Sequence, residues 1–161
     1  MKIREKEPAD EGWIDTILNE RWGARGEIVV HGEKFEAGKL PALIAGERNG
    51  LATYQIRRAN DIVFAELITL DAMTPKKGIG TALIEALIAK LRVEGVGVLR
   101  VTTTNDNLNA LRFYQRRGFR ITAVRPGAVD EARRTKPSIP IIGEYSIHIH
   151  DEIELERQVK A

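Results

Sequence analysis

The chain has 161 residues, 43% hydrophobic and 30% charged, a profile that can bury a core without disulfides or metal. Its 25 basic and 23 acidic residues leave a net charge of +2, too small for a generic nucleic-acid binder. There is no cysteine, which excludes disulfides, thiolate metal sites and a cysteine nucleophile. No apolar run approaches the ~18 residues of a membrane span, and the charged start, MKIREKEPADEG, lacks the apolar segment of a signal peptide. The expectation is one cytoplasmic domain spanning 1–161, with no nucleic-acid and no membrane partner.

Residues 2–5 form a first strand, and Pro8, Ala9 and Asp10 open a helix, since proline suits a first helical turn. Trp13, Ile14, Ile17 and Leu18 give that helix one apolar face, and Gly23 stops it. Within 24–40 only Glu27 to His31 reads as a strand; the rest reads as polar loop. Ala42 to Gly46 and Leu51 to Arg57 are strands joined at Asn49-Gly50, a strong hairpin signal. Ala59-Asn60-Asp61 turns the chain into a long strand, 62–72. A helix follows from Ile79 to about Val93, with Leu83, Ala86, Leu87 and Leu91 on one face. Val98 to Thr103 is a strand. Asn105 or Asp106 caps the next helix, which stops at Gly118, and Phe119 to Val124 is a strand again. The segment 125–144 is a long connection with a short helix at Ala128 to Arg134. Apolar odd positions from Ile147 to Val159 mark a last strand with one buried face. Helices between strands 62–72, 98–103 and 119–124 make the sheet partly parallel.

The stretch IVFAELITLDAMTPKKGIGT (62–81) ends a strand in a basic, glycine-marked turn and feeds a helix. Unpaired N–H groups at a helix start stabilise an anion. Gly78 and Gly80 let the backbone approach it, and Lys76 and Lys77 add charge. Neither a P-loop nor a dinucleotide fingerprint fits, because Gly80 is followed by Thr81-Ala82 and Leu83 stands where the latter needs a small residue.

A second segment, NLNALRFYQRRGF (107–119), stands on the helix after the next strand. Together with LDAMTPKKGIGTALIEAL (70–87) it resembles the GNAT superfamily of N-acetyltransferases. That family carries a Q/R-x-x-G-x-G/A turn and an N-x-x-A-x-x-F-Y-x-x-x-G-F helix. The helix pattern matches throughout; in the turn, Pro75 stands where the family has Gln or Arg. The resemblance implies a mixed α/β fold with a central, largely antiparallel sheet of six to seven strands, splayed between the fourth and fifth and flanked by helices. It implies acetyl-CoA as co-substrate and no metal. Pantetheine would lie along Leu70, Asp71, Ala72 and Met73. The pyrophosphate would sit on Lys76, Lys77, Gly78, Ile79, Gly80 and Thr81, with Asn107 as a further cofactor contact or else a helix cap.

The implied reaction moves an acetyl group to a primary amine, on a small molecule or a protein, by direct transfer in a ternary complex. At neutral pH, exposing an alkylamine's lone pair costs roughly 4–5 kcal/mol. Tyr114 is the candidate general acid for the thiolate, its alternative role being plain packing. Glu66, relaying a proton through water, or Asp71 is the candidate base. Trp22, His31 and Phe35 fall in the region that covers the acceptor site in this family, and 125–144 is a candidate wall or lid. His148, His150, Glu152 and Glu154 share one strand face, which reads as solvated rather than metal-binding. One of the pairs Arg57-Arg58, Arg116-Arg117 and Arg133-Arg134 is a candidate for the cofactor's 3′-phosphate; the others read as surface charge. The competing functions are a non-catalytic acyl-CoA-binding module and a protein-interaction adaptor on the same fold, as monomer or homodimer.

Overall fold

The structure is a computed structural model that describes residues 1–23, 26–75 and 77–160. The strands are β1 (Ile3–Glu5), β2 (Glu27–Val30), β3 (Glu33–Glu36), β4 (Ala42–Ala45), β5 (Gly50–Ala59), β6 (Ile62–Ala72), β7 (Val98–Thr104), β8 (Arg120–Arg125) and β9 (Glu152–Gln158). The helices are α1 (Glu11–Trp22), α2 (Ile79–Val93), α3 (Leu108–Arg116) and α4 (Ala128–Thr135). Seven strands form one sheet in the order β1-β4-β5-β6-β7-β9-β8, and β2 and β3 form a separate hairpin. Among the described residues, only the β6–β7 pairing is parallel. This is the mixed, largely antiparallel α/β architecture expected from the sequence.

Side-chain alternation separates two cores. On β4, Leu43 and Ala45 face a core shared with α2, whereas Ala42 and Ile44 face a smaller one shared with α1. The α2 stripe Ile79, Leu83, Ile84, Leu87, Ile88 and Leu91 is buried, at the three- and four-residue spacing of one helix face. Tyr114 and Phe119 join this larger core. The start of α1 is held by the buried Asp10, which accepts from Arg4 Nη1 and Nη2 (2.7 and 2.9 Å), the Glu7 N–H (2.8 Å) and Arg48 Nε (3.1 Å). The Arg4 guanidinium foremost holds the Asp10 carboxyl well below the usual carboxylate range.

The β5–β6 hairpin sets the geometry of the sheet's centre. Asn60 and Asp61 both have positive φ (49° and 66°), and Ala59 pairs with Ile62 across them, a two-residue turn of the kind Asn and Asp tolerate. Pairing continues to Tyr54↔Leu67 and then shifts to Thr53↔Thr69, leaving Ile68 as a bulge in β6. The parallel pairing with β7 ends at the same place, at Leu67↔Val101. A bulge bends its strand and strengthens its twist. Beyond Leu67, β6 stays with β5 while β7 stays with β9 as far as Thr104↔Glu152. The fourth and fifth strands of the sheet therefore splay apart, and the gap between them is the functional region.

Four local expectations change. Glu33–Glu36 is a strand, not loop, and its Phe35 is buried. The β4–β5 connection is a four-residue turn, Gly46 to Asn49, with positive φ at Gly46 and Arg48; Gly50 already belongs to β5. Of the caps offered for α3, Asn105 and Asp106 give way to Asn107, whose Oδ1 accepts the Ala110 N–H at 3.1 Å. The last strand begins at Glu152 rather than Ile147, because Asn105 Oδ1 takes the N–H groups of His150 and Asp151 (2.9 and 3.0 Å) out of any ladder.

Gly50 lies under α2. A Cβ there would collide with Ile79 Cγ2 and stand 3.1 Å from Leu83 Cδ1. Gly50→Ala is expected to destabilise the protein by about 1–3 kcal/mol through overpacking, read as a lower urea midpoint at unchanged slope. An unchanged midpoint would mean that the start of α2 moves aside freely.

Candidate active site

Among the described residues, three cavities run through the splay. The largest, about 440 Å³, lies between the end of β6, the start of α2 and one face of α3. Its wall brings together Leu70, Ala72, Gly78, Ile79, Gly80, Thr81 and Tyr114, which lie far apart in the sequence. A second cavity, about 170 Å³, sits in the splay itself and shares Leu70, Ala110 and Tyr114 with the first. The third, also about 170 Å³, opens under the β2–β3 hairpin and shares Trp22, Leu67, Ile68, Thr102, Thr103 and Asn107 with the second.

Gly78 has φ +72° and precedes α2, a left-handed turn that suits glycine. Gly80 serves packing instead: a Cβ there would lie 3.1 Å from Phe113 Cζ and 3.8 Å from Leu70 Cδ2. The missing Cβ lets α2 start against α3. Lys77 is exposed beside the turn, and Lys76 lies outside the described residues.

Tyr114 is buried, edge-on to Phe113 and Phe119 with ring centroids 5.2 Å away in each case. Its hydroxyl has no hydrogen-bond partner among the described residues, yet no sealed polar atom among them lacks a partner. The hydroxyl is thus reachable from the cavities that its ring lines. Burial, and secondarily the charge of Asp71, pushes this phenol well above the usual tyrosine range, so it keeps its proton at neutral pH.

Glu66, 4% exposed, borders the cavity under the hairpin. His31 Nε2 donates to its Oε2 at 2.8 Å, and Arg57 Nη1 to its Oε1 at 3.1 Å. Burial works to raise the Glu66 carboxyl, but the His31 hydrogen bond and the Arg57 charge outweigh it, and the group titrates below its ordinary value. His31 is shifted upward, first by the hydrogen bond to Glu66 and against the effect of its own burial. His31 and Phe35 do not reach the cavity wall. They stand behind Glu66, with their rings edge-on at 5.8 Å and Arg57 over Phe35 at 5.5 Å. Trp22 does line the cavity, and its Nε1 donates to Asp71 Oδ2 at 2.9 Å. The Asp71 carboxyl therefore turns toward the end of α1, and burial pushes it up against the Trp22 hydrogen bond. The Met73 N–H is already bonded to the Asn49 carbonyl at 2.8 Å.

The His31–Glu66 pair gives a titration test. A raised histidine pKa contributes stability below the ordinary value that is lost as pH rises through the shifted one; a lowered carboxyl contributes above its ordinary value and loses it in acid. Both contributions coexist between the two transitions. Glu66→Gln is expected to bring His31 back down toward an ordinary imidazole, measured by NMR titration of the chain's three histidines. An unmoved His31 would show that Glu33 or backbone groups set its protonation.

Several residues of the site escape a reading of the sequence. Glu152, expected on a solvated face, is 3% exposed. It receives Arg125 Nε at 2.9 Å and the His31 N–H at 3.0 Å. His148 and His150 lie 5.9 Å apart by ring centroid, and no group of three metal-ligating side chains occurs among the described residues. Lys136, at the end of the 125–144 segment's helix, donates to the carbonyls of Trp22 (2.8 Å) and Glu27 (2.6 Å), joining that segment to α1 and β2. Asn109 and Phe113 of α3 complete the large cavity together with Arg117, which stands just past the helix and belongs to the Arg116-Arg117 pair already offered for the cofactor's 3′-phosphate. Their signal was the i, i+4 spacing from Asn109 to Phe113 to Arg117 on one helix face.

The comparisons agree with this geometry. The model of the acetyltransferase (GNAT) family matches residues 12–119. The protein YdhI of Bacillus subtilis (strain 168) is 41% identical over 144 residues, covering 87% of each chain. YxbD of the same organism is 41% identical over 151 residues, covering 91% of this chain and 92% of its own. Among solved structures, a GNAT family acetyltransferase from Elizabethkingia anophelis with acetyl-CoA bound superposes with TM-score 0.64 at 19% identity, covering 98% of this chain and 97% of its own. No helix among the described residues is long and apolar enough to cross a membrane. The chain belongs to the GNAT family of acetyltransferases.

Proposed function

We propose that this chain, as one domain acting in the cytoplasm, transfers an acetyl group from acetyl-CoA to a primary amine by direct attack in a ternary complex. The observation that carries this is the run of cavities through the splay, with Tyr114 at the junction between the α2 side and the hairpin side. Donor and acceptor can enter from opposite sides and meet beside one hydroxyl. With no cysteine in the chain, no thiol is available for an acetyl-enzyme.

In this reading the cofactor's phosphates lie at residues 77–81 and its pantetheine along Leu70 and Ala72, in the large cavity. The acceptor amine comes from the side of Trp22, Glu66 and Asn107. Its nitrogen attacks the thioester carbonyl carbon, the carbon–sulfur bond breaks, and the amine's proton leaves. β6 beyond Leu67 has lost β7 as a partner, and backbone N–H groups on that opened edge would stabilise the oxyanion. Glu66, kept ionised by His31 and Arg57, steadies the incoming ammonium and relays its proton through water. The cavity under the hairpin suits a small amine, or the amine-bearing end of a peptide.

Two measurements test this. Titration calorimetry with CoA should show saturable binding, and thiol release from acetyl-CoA should rise with at least one member of a panel of primary amines. Binding without turnover across the panel would favour a non-catalytic acyl-CoA module. Absence of binding would favour an adaptor.

A further inference from the structure

Arg117 stands in the large cavity without the carboxylate partner that Arg4, Arg57, Arg100, Arg125 and Arg157 have. Its half-buried guanidinium stacks on the Phe113 ring, 3.8 Å from the centroid. Nε donates to Thr81 Oγ1 at 2.6 Å and Nη1 to the Phe113 carbonyl at 2.9 Å. Arg157, close by, pairs with Glu85 at 2.9 Å. Among the described residues, no carboxylate lies within 4.0 Å of the Arg117 nitrogens, and Nη2 has no partner. Two contacts and a stacked ring thus hold a planar cation in a fixed orientation beside Thr81.

Gly78, Gly80 and Thr81 line the same cavity. The backbone N–H groups that begin α2 carry partial positive charge. A full cation and these N–H groups face one space whose described wall holds no carboxylate. Their mutual repulsion is relieved when a phosphate enters, and a guanidinium fork matches phosphate oxygens better than an ammonium does. Pro75, at the place where the family's turn has Gln or Arg, offers no side-chain donor at all.

We propose that Arg117 binds the pyrophosphate of acetyl-CoA, supplying from α3 the charged contact that Pro75 cannot. Its tie to Thr81, in the first turn of α2, places the guanidinium at the pyrophosphate rather than at the nucleotide's 3′-phosphate. This rests on acetyl-CoA being the donor.

The test uses Arg117→Gln and Arg117→Lys. By titration calorimetry, Arg117→Gln should bind CoA about 10- to 100-fold more weakly, with the same factor for dephospho-CoA, and Arg117→Lys should fall between. The wild-type preference for acetyl-CoA over S-acetylpantetheine in kcat/KM should shrink by a similar factor. A loss seen with CoA but not with dephospho-CoA would move the contact to the 3′-phosphate and overturn the assignment. Equal loss of turnover with acetyl-CoA and S-acetylpantetheine would make Arg117 a packing residue and overturn it too, as would unchanged CoA affinity. Failure of the wild-type protein to bind CoA would instead overturn the donor, and this assignment with it.

Discussion

Tyr114→Phe is expected to lower kcat about 100-fold, in the range for losing one donor to a developing negative charge, and to change the KM for acetyl-CoA little. The phenol lies in the wall shared by the two cavities where donor and acceptor would meet. Its hydroxyl has no partner among the described residues, so deleting the oxygen should change stability by less than about 1 kcal/mol. The upward shift of its pKa refines the chemistry. A thiol titrates near ~8.5 and an ordinary phenol near ~10, so complete proton transfer from Tyr114 to the departing sulfur is uphill by at least ~2 kcal/mol. The stronger role is a hydrogen bond held on the sulfur as its charge grows, while the proton that neutralises it comes from the acylated amine. Two measurements separate the roles. If Tyr114 only donates a hydrogen bond, the solvent deuterium isotope effect on kcat is the same in wild type and variant, whereas a larger effect in the wild type would mean that its proton is transferred. If kcat is unchanged within twofold, Tyr114 does no more than pack between Phe113 and Phe119.

Much of the fold was legible because local signals fixed register. Once Asn60-Asp61 is taken as a two-residue turn, Ala59 must face Ile62, and Glu66 then falls opposite Gln55, with Arg57 one pleat away on the same face. The Arg57–Glu66 contact was therefore implicit in the turn. The stripe of α2 and the motif residues of α3 were equally readable, since helix periodicity alone places them on one face each. The bulge at Ile68 was not readable, because an apolar residue in an apolar strand carries no mark of being unpaired. Glu33–Glu36 failed for a different reason. Its single apolar residue, Phe35, is covered by His31 of the hairpin's own turn and by Arg57 of β5, a contact that local pattern does not show. Between Ile147 and Val159 the odd positions are apolar except at Asp151 and Arg157, and a charged residue inside an alternating run does not by itself show that Asn105 ends the ladder there. Glu152 looked solvated because charge is usually exposed, and its burial depends on Arg125 from a neighbouring strand. The reactive end of the site was read from motif residues; its electrostatic setting came from contacts between elements.

Gly80→Val is expected to reduce CoA affinity at least about 100-fold, with a stability loss of about 1–3 kcal/mol from overpacking. The first branch atom at this position already meets Phe113 Cζ at 3.1 Å and Phe113 Cε1 at 3.3 Å, and Leu70 lies just beyond. Two further methyl groups have only the cavity to enter. Phe113 must yield, and it carries Arg117 on its face, so the cation beside the turn is displaced together with the space for the ligand. Gly78 provides the control two residues earlier. A Cβ there meets nothing within 4 Å, but φ is +72°. Gly78→Ala should therefore destabilise by roughly 1 kcal/mol through the backbone and weaken CoA far less than Gly80→Val does. Gly78→Asn should be milder still, since asparagine tolerates the left-handed region. Calorimetric CoA titrations beside urea unfolding of all three variants decide the matter. If Gly78→Ala abolishes binding while Gly80→Val spares it, the ligand depends on the conformation of the turn alone, and the close approach of α2 to α3 serves only packing.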